Sequence, residues 1–476
     1  MAVSKSEGAM IELKIDNQIV EVQEGETVLQ VAQRTGIDIP SLCYHPCMSI
    51  AGNCRICLVQ VNGRPKLMPA CNLPVTPGME IDTDSPPVRE ARRSVMQFIS
   101  LNHPGDCGIC DKAGECRLQE YHMKYGDYRP LSVEPKNHQP KFYNLSERIM
   151  LDNERCILCS RCVRFTREIS KTSQLGIVER GSHSLVQRLD CASFDDPYSD
   201  NVIGTCPVGA LLSRDFLYKS RVWYLETVRS TCTGCSRGCS VNVWRRNKHW
   251  YQRSEGAAKN QMAYRISPCE NPEINGPWLC NKGFDLHKAM SRPRVLAPAI
   301  AGRDATIAEA LSAAAHMLLD AKKPAAIVSA HASNEELAAF KVALGERVQV
   351  YTREDYQPAA GEVVEDDFLI KADKNPNSFQ VRALFGDRPF DAGQKHDLVI
   401  LWGDNLNYGS LGGARVIHLT SFESSQDRAA DVLIPLSTTF ERSGSFCNFE
   451  GKRNIFEKVF DKPTLVQHAG DVFGRL

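Results

Sequence analysis

The chain has 476 residues, of which 57 are basic, 57 acidic and 42% hydrophobic, and its formal net charge is zero. There is room for three or more domains at roughly 100–200 residues each. The balanced charge gives no reason to expect nucleic acid or an anionic membrane surface as a partner. No apolar run approaches the ~18 residues of a transmembrane helix, and the opening "MAVSKSEGAM" lacks the apolar core of a secretory signal, so a reducing compartment is expected. The unusual feature is 19 cysteines, which in such a compartment serve as metal ligands or catalysts. Random scatter would give about 0.8 pairs at C-x-x-C spacing. The sequence has five: Cys54/Cys57, Cys107/Cys110, Cys156/Cys159, Cys159/Cys162 and Cys232/Cys235. All the cysteines but Cys447 precede residue 281, so a metal-rich front is followed by a conventional back.

In chain order, "IELKIDNQIVEVQ" alternates about Asp16-Asn17 and predicts a β-hairpin. "GETVLQVAQRTGIDIP" predicts a short helix with Thr27 as N-cap and Gly36 at its end. Cys43, Cys54, Cys57 and Cys71 then follow as C-x10-C-x2-C-x13-C. A glycine-bearing loop that delivers thiolates from a small sheet is how a plant-type [2Fe–2S] centre is held. A zinc site on Cys54/Cys57 competes with that reading, and Cys47 competes with Cys43. Next, "PPVREARRSVMQFISLN" predicts an amphipathic helix with Val88, Ala91, Val95, Phe98 and Ile99 on its buried stripe.

That helix leads into "HPGDCGICDKAGECRLQEYH". His103, Cys107, Cys110 and Cys116 make H-x3-C-x2-C-x5-C, a four-ligand [4Fe–4S] set in which neutral imidazole replaces one thiolate and by itself raises the potential. "CILCSRC" supplies Cys156, Cys159 and Cys162. Thr166 stands where a two-cluster ferredoxin carries its next cysteine, and the Cys-Pro pair arrives only at Cys206-Pro207. We expect a two-cluster ferredoxin fold that keeps one [4Fe–4S] cluster on Cys156, Cys159, Cys162 and Cys206. A fourth group, Cys232, Cys235 and Cys239, has Cys269 and Cys280 as rival fourth ligands. Cys191 and Cys447 are read as ordinary thiols.

Beyond residue 290, "TIAEALSAAAHMLLDA" and "SNEELAAFKVAL" predict helices, and "PAAIVSA", "HDLVILWG", "ARVIHLT" and "ADVLIPL" predict strands of a parallel, doubly wound sheet. No glycine-rich nucleotide fingerprint is present.

In this order, "SLCYHPCMSIAGNCRICLVQV", "HPGDCGICDKAGECRLQ", "RCILCSRCVRFTREI" with "GTCPVGAL", "TCTGCSRGC…NGPWLCNKGFD" and "ADVLIPLSTTFERSGSFCNFEGKRNIF" resemble the G subunit family of bacterial respiratory complex I, counterpart of the mitochondrial 75 kDa subunit. The resemblance runs along essentially the whole chain. It implies an α+β multidomain chain: a β-grasp [2Fe–2S] ferredoxin domain at 10–86, a His/Cys3 segment at 87–127, a ferredoxin-like domain at 140–222, a molybdopterin-oxidoreductase-type [4Fe–4S] domain at 225–287, and a degenerate, shortened α/β domain at 290–476. It places Cys280, rather than Cys269, as the ligand completing the fourth set, because the family's last cysteine sits in a C-x-[KR]-G context.

The cofactors implied are one [2Fe–2S] and three [4Fe–4S] clusters, without molybdopterin, since the back is too short for a catalytic pterin domain. Lys282 resembles the lysine linking cluster and pterin in formate dehydrogenases, and is read here as a surface or supporting residue. The function implied is an electron wire in a proton-translocating NADH:quinone oxidoreductase, with no catalytic residue of its own. Its partners would be the flavin/NADH-binding subunit with its [2Fe–2S] companion and the quinone-module subunits. It would lie on the cytoplasmic side of the bacterial inner membrane and touch the membrane only through the complex. The fourth cluster would sit off the main path. The competing expectation is an equivalent wire subunit of a soluble NAD-linked hydrogenase or formate dehydrogenase.

Overall fold

The computed structural model describes residues 10–476 except 128, 130–132, 190–192, 253, 353–360, 392, 404–410, 425–426 and 428–429. The chain forms two compact units, 1–223 and 224–476. No described helix is long and apolar enough to cross a membrane.

The first unit opens with β1 (Met10–Ile15) and β2 (Gln18–Gln23), paired antiparallel from Met10↔Gln23 to Ile15↔Gln18. Asp16 and Asn17 both take positive φ, 46° and 69°, which gives the two-residue turn whose twist matches the strands. α1 (Val28–Thr35) begins at a capping box: the Thr27 N–H donates to Gln30 Oε1 at 2.8 Å and Thr27 Oγ1 accepts from the Gln30 N–H. It ends at Gly36, which adopts the left-handed φ of 76° that a side chain resists.

β3 (Leu58–Val61), β4 (Met68–Pro69) and β5 (Glu80–Asp82) complete a sheet of order β2-β1-β5-β3-β4, in which β1 and β5 run parallel. Leu13, Ile15, Val20 and Val22 alternate onto α1's Val28, Val31 and Ala32 to close its core.

α2 (Pro86–Asn102) forms where expected, but its buried face is Val88, Arg92 and Met96, and Phe98 is 77% exposed. The predicted stripe therefore needs correction. The helix packs on β3 and on α3 (Arg117–Tyr125), and Arg92 enters that face because its guanidinium lies 5.2 Å from the Tyr125 ring centre. A pattern counted on apolar residues alone misses an arginine whose stem covers apolar surface.

The rest of the unit is built from β6 (Tyr143–Asn144), β7 (Ile149–Leu151), α4 (Arg161–Arg164), β8 (Leu175–Val178), β9 (Leu185–Arg188), α5 (Asn201–Thr205) and β10 (Leu211–Ser213). β10-β7-β6 form one small sheet, β8 and β9 a hairpin, and α4 runs into a π-helical turn at Phe165–Ile169.

The second unit starts with an antiparallel sheet of β11 (Leu225–Thr231), β12 (Ser240–Arg246) and β13 (Arg265–Pro268), followed by the short helices α6 (Asn281–Phe284) and α7 (Leu286–Met290). The elements after them are β14 (Ala299–Ile300), β15 (Arg303–Asp304), α8 (Ile307–Asp320), β16 (Pro324–Val328), α9 (Asn334–Leu344), β17 (Gln349–Thr352), α10 (Ser378–Phe385), β18 (Leu398–Trp402), β19 (Arg415–Thr420) and β20 (Val432–Pro435). β21 (Gly444–Cys447), β22 (Arg453–Phe456) and α11 (Ala469–Phe473) complete the chain.

The large sheet has the order β15-β14-β20-β19-β18-β16-β17. β17, β16, β18, β19 and β20 are mutually parallel, in the 2-1-3-4-5 order of a doubly wound sheet. Every residue of β18 is buried, as a strand covered on both faces requires. α8 and α9 start at capping boxes on Thr306/Glu309 and Ser333/Glu336.

Candidate cluster sites

The first cysteine loop leaves α1 and returns through β3. It brings Cys43, Cys54, Cys57 and Cys71 together, all but Cys54 buried. A hydrogen bond from the Cys54 thiol, opposed by burial, holds Cys43 below its ordinary range, and a bond from Cys57 does the same for Cys71. Cys54 and Cys57 are pushed up by those same bonds and by burial. Cys47 is exposed, its main-chain N–H bonded to His45 Nδ1 at 3.2 Å. It is Cys43 that stands with the other three.

The second set follows the C-terminus of α2. His103 is half-buried, its Nδ1 enclosed and lacking a hydrogen-bond partner among the described residues, and burial lowers its pKa to about 4. A neutral imidazole with an orphaned ring nitrogen is the state that ligates metal. Cys110 and Cys116 are buried, and burial pushes Cys116 up to about 11. Gly209, from the segment after Cys206, approaches so closely that a Cβ there would meet Cys110 Sγ at 2.2 Å. Only glycine leaves that space open.

Cys156, Cys159, Cys162 and Cys206 line one small void closed by Leu151, Val186, Val208 and Leu211. The loop turns around it with two non-glycine residues at positive φ, Leu158 at 53° and Ser160 at 59°, a backbone that side chains rarely adopt. Burial, then the neighbouring Cys206, pushes Cys159 up to about 12, and burial raises Cys156 and Cys162. Thr166 is fully buried and its hydroxyl donates to the Val163 carbonyl at 3.0 Å.

The fourth set lies in the second unit. Cys232, Cys235 and Cys239 are buried on the β11–β12 connection, and Cys280 is the N-cap of α6. Burial, then the Cys280 sulfur, raises Cys232. Burial raises Cys280 to about 11, opposed by the Gly283 and Lys282 N–H groups that point at its sulfur. Cys269 is half-buried in the strand pairing, its N–H bonded to the Ser240 carbonyl at 3.0 Å. Cys280, not Cys269, joins the triplet in space. Lys282 is half-exposed and paired with Glu362. Cys447 sits at the end of β21, where the Asn334 amide contacts its sulfur at 3.4 Å. Cys191 lies outside the described residues.

These donor sets fit iron–sulfur clusters. Ligands must be deprotonated thiolates or neutral imidazole. Crowded, desolvated thiols reach that state only against a cation, because burial otherwise favours the neutral form. Among the described residues, no three His, Cys, Asp or Glu side chains close on a single ion. A cluster instead spreads its ligands over two or four irons. Near the core of the second unit, a cavity of about 670 Å³ opens at the carboxyl ends of β16, β18, β19 and β20, lined by Ser329, Gly403, Ser421 and Thr438 among others.

Sequence reasoning missed the buried cations between the sets. Arg155, 1% exposed, donates to both Asp106 carboxylate oxygens from Nε (3.0 and 3.1 Å) and lies 3.4 Å from Asp152. Arg161 and Arg164 are equally hidden. The available signal was the interleaving of arginine with cysteine in "NERCILCSRCVRF".

Comparison with known proteins follows the same order. Family descriptions match as a 2Fe-2S iron-sulfur cluster binding domain at 8–86, an NADH-ubiquinone oxidoreductase-G iron-sulfur binding region at 92–128, the ferredoxin-like domain of NADH-quinone oxidoreductase subunit 3 at 146–212, and a molybdopterin oxidoreductase Fe4S4 domain at 225–292. The chain is 37% identical over 295 residues to a mitochondrial NADH dehydrogenase [ubiquinone] iron-sulfur protein 1 of Solanum tuberosum, covering 62% of this chain and 38% of that one. It is 31% identical over 444 residues to the G subunit of the NADH-quinone oxidoreductase of Streptomyces coelicolor, covering 91% of this chain and 50% of that one. A chain from a solved NAD+-reducing [NiFe]-hydrogenase aligns at 29% identity over 45% of this chain and 92% of that one, with a TM-score of 0.41. The chain spans half or less of the length of these two curated relatives.

Proposed function

We propose that this member of the family of NADH-quinone oxidoreductase G subunits and their 75 kDa counterparts carries electrons between a flavin-bearing NADH-oxidising partner and quinone-reducing partners. It would do so from a peripheral position on the cytoplasmic side of a proton-translocating complex. The observation that supports this most is the order of four matched iron–sulfur domains along the chain, each carrying one of the cysteine groups read from the sequence. His103, Cys107, Cys110 and Cys116 would hold one [4Fe–4S] cluster. Cys156, Cys159, Cys162 and Cys206 would hold a second, and Cys232, Cys235, Cys239 and Cys280 a third. Cys43, Cys54, Cys57 and Cys71 would hold a [2Fe–2S] centre. When bound, these groups supply one-electron storage at potentials tuned by ligand type, burial and hydrogen bonding.

The chain's own residues orient and insulate. Leu151, Val186, Val208 and Leu211 exclude water from the third set. The N–H groups of Lys282 and Gly283 point at the Cys280 sulfur, favouring its thiolate. His103 presents a neutral nitrogen, which leaves its set one negative charge fewer than an all-cysteine one. The work asked of the chain is positioning and potential control, with no bond-making step.

The test is iron and sulfide analysis with low-temperature EPR on anaerobically purified, dithionite-reduced protein. We expect about 14 irons and both cluster types. Zinc without sulfide overturns the proposal.

A further inference from the structure

The third cluster segment carries two buried arginines whose partners are unusual for charged groups. Arg164 is 4% exposed and Arg161 5%. The Arg164 guanidinium donates to the main-chain carbonyls of Cys43 and Ser49, to that of Cys159 at 3.4 Å and to Ser160 Oγ at 3.2 Å. Arg161 donates to the carbonyls of Tyr44 and, at 3.1 Å, Thr205. Cys43 and Cys159 belong to different cysteine sets, and Tyr44 and Thr205 each adjoin a cysteine of one set or the other, Cys43 and Cys206. Two further bonds tie the same segments: Asn53 Nδ2 donates to the Leu158 carbonyl at 3.1 Å, and the Ser49 N–H donates to Glu168 Oε2 at 2.7 Å.

Among the described residues neither arginine forms an ion pair. A buried charge without a counter-charge is costly, and carbonyl dipoles compensate only part of it. The groups beside them that become anionic are the thiolates of the two cysteine sets, so these guanidiniums are placed as counter-charges for loaded centres.

We propose that Arg164, assisted by Arg161, is a positioning residue. It locks the Cys43 loop to the Cys156–Cys162 loop, and its charge raises the potentials of the two centres those loops hold. The proposal rests on the iron–sulfur reading above. Reducing a centre adds negative charge, which a nearby buried cation favours. A lysine retains the charge but cannot reach two loops with one planar fork.

The test is an EPR-monitored redox titration of the full, anaerobically purified protein as wild type, Arg164→Gln and Arg164→Lys, with iron and sulfide measured for each. Arg164→Gln is expected to shift reduction of the [2Fe–2S] centre at least about tenfold toward the oxidised form, about 59 mV for a one-electron couple. The Cys156 centre should move the same way, while the His103 and Cys232 centres stay in place. Arg164→Lys should keep both potentials near wild type but change the magnetic interaction between the first and third centres. If Arg164→Gln loses the first centre alone, the lock is supported when Arg164→Lys loses it too, and the lock is overturned in favour of the charge alone when Arg164→Lys retains it. Unchanged potentials in a fully loaded Arg164→Gln protein, or loss of all four centres in both variants, overturn the inference and leave the electron-carrying function standing. Wild-type protein without iron and sulfide overturns both.

Discussion

The interior of the first unit and the parallel sheet of the second are held by different means. Around β16, β18 and β19 one continuous apolar cluster carries the packing, with His418 and Thr420 of β19 as buried polar exceptions: Ala326, Val328, Leu398, Ile400, Ile417 and Leu419 pack against Leu311, Leu337, Phe340 and Phe473. In the first unit Arg92, Arg155, Arg161, Arg164, Asp152, Asp196 and Asp200 are all buried. The sheet whose β7 and β10 border the Cys156 set is also short-stranded: β6 has two residues, β7 and β10 three. A sheet whose strands face apolar layers draws stability from area removed from water. A unit proposed to enclose several charged centres would instead have to satisfy fixed charges and carbonyls, and its order would depend on what it binds.

The largest test of that contrast is removal of iron and sulfide under anaerobic chelation. We expect the first unit to lose protection across residues 40–125 and 140–215 while β16, β18 and β19 retain theirs, read by hydrogen exchange. Equal loss in both regions would erase the distinction.

Cutting into the apolar region should have the converse effect. Ile400→Ala, at a fully buried site on the central strand, should cost about 2–5 kcal/mol in denaturant unfolding of the second unit. The EPR signals of the centres proposed for the first unit should be unaltered.

Breaking the pair between buried Arg155 and half-buried Asp106 probes the other regime. Asp106→Asn leaves Arg155 with only Asp152 close by and should cost about 3 kcal/mol, measured by chemical unfolding of the anaerobic protein. Burial pushes the Asp106 carboxyl up, but the Arg155 hydrogen bond and the charges of Arg155 and Lys141 outweigh it, so its folded pKa is lowered. The stabilisation is therefore complete above the unfolded value of about 3.9 and is lost as pH falls through the lowered folded value. Asp106→Asn should flatten that acid limb. The smallest effect is expected from Thr306→Ala, which removes the α8 cap and should cost about 1 kcal/mol with no change in any cluster signal.

Much of the local structure was legible in the sequence because its causes lie within a few residues. Asp16-Asn17 forces the hairpin turn, Thr27 with Gln30 and Thr306 with Glu309 start helices, and continuous apolar runs such as "LVILW" make fully buried strands. Tight spacings such as C-x2-C also restrict where neighbouring thiols can point, which is why three members of the second, third and fourth cysteine sets could be proposed from spacing. The face of α2 could not, because an arginine stacked on Tyr125 counts as polar in any apolar pattern.

What the sequence by itself determined was the order of the cluster segments and the elements that present them. Only the tertiary structure decided that Cys43 rather than Cys47 meets Cys54, Cys57 and Cys71, whereas Cys280 beside Cys232 was already implied by the family resemblance of its C-x-[KR]-G context. The tertiary structure alone decided that Arg161 and Arg164 bind one cysteine loop to another. Closure over 40 to 120 residues depends on the path of the whole chain, and a main-chain carbonyl that accepts an arginine leaves no mark on the residue that bears it.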